Sequence, residues 1–199
     1  MVDEALAESA VEPTLPPYEG IALADVRLVS SDADAAAALQ ALTASDAIGF
    51  DTESKPTFRK GEVSTGPHLI QLATDEIVYL FQSTGTAHVD ALKAILESPN
   101  IVKAGFGLRD DLKRLQVKFG IETANVVDLA IALRDDKYND RHKDIGAKTA
   151  VARFFGKKLQ KSKRTSTTNW ANPHLTDRQI LYAADDAQVA LKVYRVWRR

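Results

Sequence analysis

Three acidic pairs stand out in the 199-residue chain by where they fall. Asp51 and Glu53 follow the apolar run Ala47-Ile48-Gly49-Phe50, and the two-residue period of a strand points both to one face. Asp110-Asp111 opens an amphipathic stretch shortly after Gly107. Asp185-Asp186 lies in an alanine-rich, core-facing run, where a carboxylate is costly unless something compensates it. Tyr182 precedes Asp186 by four positions, so the phenol and the carboxylate share a helix face. Each feature alone has a plain explanation: a solvated strand end, a charge that suits a helix N-terminus, a buried aromatic with its hydroxyl satisfied. Together they pose a chemical problem, because carboxylates brought close repel and resist ionising. A divalent cation removes that repulsion. The chain has no Cys, and its four His are scattered at 68, 88, 142 and 174, so only oxygen ligands are on offer. Oxygen-only sites suit Mg²⁺ or Mn²⁺. Several carboxylates with open positions suit two such ions about 4 Å apart, an arrangement that serves in-line displacement at phosphorus.

The elements that must position these residues are read from period and punctuation. Residues 26–29 form a short apolar strand, and the alanine-rich stretch 32–44 after Ser30-Ser31 forms a helix. Residues 47–50 form a buried strand that carries Asp51 and Glu53 at its end. Residues 69–73 and 77–81 flank Thr74-Asp75-Glu76 as a hairpin. Helical spacing runs over 89–96, a strand over 101–106, and a helix over 110–119. The stretches 126–133 and 145–155 continue the helical character. Thr176-Asp177 caps a long last helix to about Trp197, which carries Tyr182 and Asp186. This order predicts one α/β domain, an antiparallel hairpin region joined to parallel strands with helices on both faces. No internal repeat and no second-domain boundary is visible. Residues 1–20, acidic and holding Pro13, Pro16 and Pro17, read as a flexible tail, and 21–199 as the domain.

The near-neutral total charge, −1 from 26 Lys+Arg and 27 Asp+Glu, hides an uneven map. Residues 1–26 hold six acids and no base, which leaves 21 acids against 26 bases in the rest, or +5. From Ile145 to Thr176 there is no acid, while Lys148, Arg153, Lys157, Lys158, Lys161, Lys163 and Arg164 all fall there. Such a run is either a solvated face or a match for a phosphate backbone. Zero Cys excludes disulfide scaffolds, thiolate zinc sites, iron–sulfur clusters and cysteine nucleophiles. No basic start with an apolar run marks a signal peptide, and no run of about 18 apolar residues marks a membrane span. A cytoplasmic location without a membrane partner is therefore expected.

Phe50-Asp51-Thr52-Glu53, then Gly105-Phe106-Gly107 running to Asp111, then Tyr182-Ala183-Ala184-Asp185-Asp186 resemble the three exonuclease motifs of the DEDD superfamily. The Tyr182-x-x-x-Asp186 form resembles its DEDDy subclass, which includes ribonuclease D and the Werner-type exonuclease domain. Leu69-Ile70-Gln71-Leu72 and Thr168-Asn169-Trp170 add to the likeness, which runs from about residue 47 to about 194. The resemblance implies a ribonuclease H-like mixed sheet in a single domain. It implies a metal-dependent 3′-5′ exonuclease with two Mg²⁺ or Mn²⁺ ions, acting on DNA or RNA with a free 3′ end. By the same resemblance Asp51 bridges both metals, Glu53 and Asp186 hold the metal that activates water, and Asp111 supports the second metal. Tyr182 orients the water. Leu72, Phe106 and Trp170 are candidates either to touch bases or to pack the core. Lys157, Lys158, Lys161, Lys163 and Arg164 are candidates to steer the phosphate backbone, and Arg59 and Lys60 lie in a loop where backbone contact is plausible. RNA trimming on the same fold, or an inactive nucleic-acid-binding module, are the competing readings.

Overall fold

A computed structural model describes residues 15–59, 61–83, 88–138 and 140–199. Six strands make one mixed sheet: β1 (Val26–Val29), β2 (Ala47–Glu53), β3 (Leu69–Ala73), β4 (Val78–Gln82), β5 (Val102–Gly105) and β6 (Val126–Asp128). Their spatial order is β1-β4-β3-β2-β5-β6. β2, β3 and β4 run antiparallel, as the hairpin pattern predicts, whereas β1 joins β4, β5 joins β2 and β6 joins β5 in parallel.

Helices α1 (Asp32–Thr43), α2 (Val89–Leu96) and α3 (Arg109–Phe119) cover one face. Leu42, Ile48, Phe50, Ile70, Leu72, Leu96 and Leu115 meet there in a common core. After the single turn α4 (Leu129–Ala132), helices α5 (Ala147–Phe155), the short α6 (Lys163–Ser166) and α7 (Asp177–Trp197) build the second face. Starts of the long helices follow their caps. Ser31 and Asp34, and Thr176 and Gln179, each exchange side chain-to-backbone hydrogen bonds as capping boxes. Among the described residues no helix is long and apolar enough to cross a membrane.

The inner face of α7 is nearly all alanine and small aliphatic: Ala183, Ala184, Ala187 and Ala190 are buried against the sheet. Small residues let helix and strand backbones come close. Gly49 in β2 completes the fit, since a Cβ there would stand 1.9 Å from the Ala187 carbonyl oxygen. This contact fixes Asp186 of α7 over the end of β2.

One expectation is corrected. Residues 126–133 are not one helical stretch: Val126–Asp128 is a sheet-edge strand and only Leu129–Ala132 turns. The two β-branched residues pair with Lys103 and Ala104 of β5, and Asp128 then caps the turn through the Ala130 N–H. Of the acidic stretch 1–20, only residues 15–20 are described. Residues 1–14 lie outside the described residues, but Pro16–Ile21 is a strap laid across the second face. The Tyr18 N–H donates to the Lys158 carbonyl at 3.0 Å, and the Lys158 N–H to that of Pro16 at 2.8 Å. The Ile21 N–H donates to Asp185 at 2.8 Å.

Candidate active site

β2 is long enough to carry its last residues past the sheet core. Asp51 and Glu53 lie on the face that α7 covers, while Phe50 between Gly49 and Asp51 turns into the opposite core. From α7, Asp186 reaches the same point and is only 7% exposed. Tyr182, one turn earlier, stands beside it. Asp111 arrives from the other layer, in the first turn of α3, and accepts a hydrogen bond from the Thr52 hydroxyl at the β2 end. The carboxylates of two layers thus meet at the C-terminal tip of one strand.

A turn between β5 and α3 sets Asp111. Gly107 takes a left-handed φ of +68°, a conformation that costs a Cβ-bearing residue about 1 kcal/mol or more. The Asp128 carboxylate holds this turn, accepting the N–H groups of Gly107 at 2.8 Å and Leu108 at 3.0 Å. Asp128 is a positioning residue that the sequence reading did not single out. Its signal was an aspartate closing a β-branched pair before an apolar turn.

The electrostatics follow from this crowding. Burial, then Asp186 and Asp111, push the Asp51 carboxyl well above the ordinary carboxylate range. Burial, Asp51 and Asp186 push Glu53 up to about 9. Burial also raises Asp111. It raises Asp186 as well, against the pull of Lys161. The Tyr182 hydroxyl is pushed up to about 12 by burial and by Asp186, so it is protonated at neutral pH. The second member of each doublet has other work: Asp110 is exposed at the helix start, and Asp185 accepts the strap's Ile21 N–H.

Lys161 is the surprise of the basic run. Its ammonium lies 2.7 Å from Asp186 and 5.8 Å from the Tyr182 ring centre, inside the acidic cluster and not on the outer face. Lys158, Lys163 and Arg164 are exposed, and Lys157 is half-buried near the strap. Leu72 and Trp170 offer no surface to a base. Both are 0% exposed, Leu72 in the core beneath α1–α3 and Trp170 against the Tyr182 ring at 6.0 Å. Their place is packing. Phe106 is partly buried against the second core. Arg59 is exposed, and Lys60 lies outside the described residues.

The donor set, four carboxylates and a phenol with neither sulfur nor imidazole, fits a hard divalent cation. Their mutual repulsion is what such a cation would relieve. As the side chains stand, no three Asp, Glu or His among the described residues converge as a ready-made ligand shell. Asp186 is turned toward Lys161 instead.

Residues 26–197 match the family model described as 3′-5′ exonuclease. The chain is 34% identical over 159 residues to the mouse (Mus musculus) bifunctional 3′-5′ exonuclease/ATP-dependent helicase WRN, covering 77% of this chain and 11% of that protein. It is 31% identical over 167 residues to ribonuclease D of Escherichia coli (strain K12), covering 84% of this chain and 42% of that one. The exonuclease domain of Aedes aegypti Nibbler superposes with a TM-score of 0.74 at 27% identity, covering 88% of each chain. The chain spans less than half the length of these two curated relatives.

Proposed function

We propose a function on one premise: the chain belongs to the 3′-5′ exonuclease family. The reading supported best is metal-dependent hydrolysis of nucleic acid from a free 3′ end, releasing nucleoside 5′-monophosphates. The observation that carries it is the meeting of Asp51, Glu53, Asp111 and Asp186 at one strand tip beside Tyr182. These four carboxylates would hold two Mg²⁺ or Mn²⁺ ions, which when bound polarise a water and neutralise charge on the phosphate. Asp51, whose carboxyl feels both Asp186 and Asp111, would contribute to holding both ions.

The chain's own groups do the rest. Tyr182 keeps its proton and orients the attacking water by hydrogen bonding; it does not act as the base. The water oxygen joins phosphorus as the bond from phosphorus to the 3′ oxygen of the penultimate nucleotide breaks. The proton the water loses passes to solvent, the released 3′ oxygen takes one from solvent, and the terminal nucleotide leaves with the phosphate. Lys158, Lys163 and Arg164, exposed near the cluster-bearing Lys161 segment, steer the incoming backbone.

The substrate is DNA or RNA with a free 3′ end; RNA trimming is the second reading, which the likeness to ribonuclease D supports. A non-catalytic binding module is disfavoured, because it has no use for clustered carboxylates facing phosphate. The test is a panel of 5′-labelled single-stranded DNA, recessed duplex DNA, RNA and dinucleotides with Mg²⁺ or Mn²⁺. Stepwise shortening from the 3′ end, lost in a folded Asp51→Ala protein, is the expected result. No shortening of any 3′-ended strand with Mn²⁺ present overturns the enzymatic reading.

A further inference from the structure

The acidic cluster already contains a cation. Lys161 Nζ stands 2.7 Å from Asp186 Oδ1, at ion-pair and hydrogen-bond distance together. Asp186 is buried and Lys161 is largely so, so the pair is poorly screened by water. Among the described residues, the other cation paired to a cluster carboxylate is Arg114, 3.8 Å from Asp111 on its own helix. Lys161 therefore sits where its charge offsets Asp51, Glu53 and Asp186 at once. Its place in the acid-free stretch means that no neighbour in sequence competes for it.

The same side chain has a second place to go. Lys161 lines a cleft of about 350 Å³ together with Tyr182, Arg178 and Asp185. Asp185 gives one oxygen to the Ile21 N–H, and its carboxylate borders this cleft one residue before Asp186. Rotation of the flexible lysine stem into this cleft would carry the ammonium from Asp186 toward Asp185.

We propose that Lys161 is a built-in counter-ion of the metal site: it holds Asp186 until a divalent cation displaces it toward Asp185. This rests on the metal-site reading above and adds what the cluster does before loading. It accounts for the turn of Asp186 toward Lys161 and for the placing of Asp185 on the same cleft as Lys161. Lys161 is a positioning residue here, acting through Asp186.

Calorimetric titration of Mn²⁺ into the full chain, without nucleic acid, tests it. Lys161→Met should bind Mn²⁺ roughly tenfold more tightly, since a competing pair of this kind is worth about one factor of ten. Its melting temperature should fall in chelator and recover at saturating Mn²⁺. Unchanged or weaker affinity, with equal melting losses in both conditions, makes Lys161 a structural residue and overturns the proposal. Should Lys161→Met fail to fold, the wild-type protein supplies the answer through acetylation of Lys161, followed by peptide mass. Mn²⁺ should increase labelling as the pair opens, and unchanged or reduced labelling overturns the idea. Asp51→Asn serves as the control. If it loses Mn²⁺ binding while Lys161 shows neither effect, the counter-ion fails and the metal site stands. If wild type binds no Mn²⁺, both fail.

Discussion

β2 and α7 meet twice, and the two meetings treat charge in opposite ways. Beside the start of β2, Arg195 of α7 takes Asp46 in a two-pronged grip, at 2.7 and 2.8 Å, and Asp75 at 2.9 and 3.2 Å. The Arg195 hydrogen bonds hold the Asp46 carboxyl below its ordinary range. At the end of β2, the same two elements bring together Asp51, Glu53 and Asp186, and these carboxyls are pushed upward. One end uses carboxylates to fasten the helix. The other uses the fastened helix to hold carboxylates in surroundings they resist. Acidity alone does not distinguish the two ends; at one the surroundings push the carboxyl down, at the other they push the carboxyls up.

Breaking the chemical end should cost activity and not stability. Asp51→Asn should lower hydrolysis by about a thousandfold or more, while the metal-free protein melts at an equal or higher temperature because a repelling charge is gone. A clear drop in that melting temperature would place Asp51 with the fastening residues. Tyr182→Phe should slow turnover by about 10- to 100-fold and leave Mn²⁺ affinity unchanged in calorimetry. A matching loss of metal affinity would make the phenol part of the ligand shell.

Two smaller effects sharpen the contrast. Glu53 has an ordinary value of 4.5 and a folded value of about 9, so between these the folded chain keeps a proton that the unfolded chain has lost. Stability of the metal-free protein should therefore fall as pH rises through that window. Melting curves in chelator should show the slope, and Glu53→Gln or saturating Mg²⁺ should reduce it. A slope that persists unchanged in Glu53→Gln would assign it to other groups. At the structural end, Arg195→Ala should cost about 1 kcal/mol, because the pairs it breaks are largely exposed. Activity per folded molecule should not change; a lowered rate would show that the two ends are coupled.

The sequence disclosed the strand–acid, turn–acid and helix–acid units because each is local: a period, a glycine, an i,i+4 pair. What it withheld depends on register or on facing. Leu72 follows Gln71, and only the pairing of Gln71 with Asp51 and of Leu72 with Phe50 tells which one looks toward α7. β6 has three residues, too few for a period to show. The basic run named Lys161 among its neighbours but could not say that this one turns inward, because its partner lies 25 positions away on α7. Trp170 likewise reads as a possible stacking platform until Tyr182 is seen against it.

The strap at Pro16–Ile21 has a mechanical meaning. Two backbone hydrogen bonds tie it to Lys158, three residues before Lys161, and a third ties it to Asp185, next to Asp186. Tension drawn on the amino-terminal side of residue 16 is therefore carried first into the two stretches that face each other across the Lys161–Asp186 pair, before any strand of the sheet bears load.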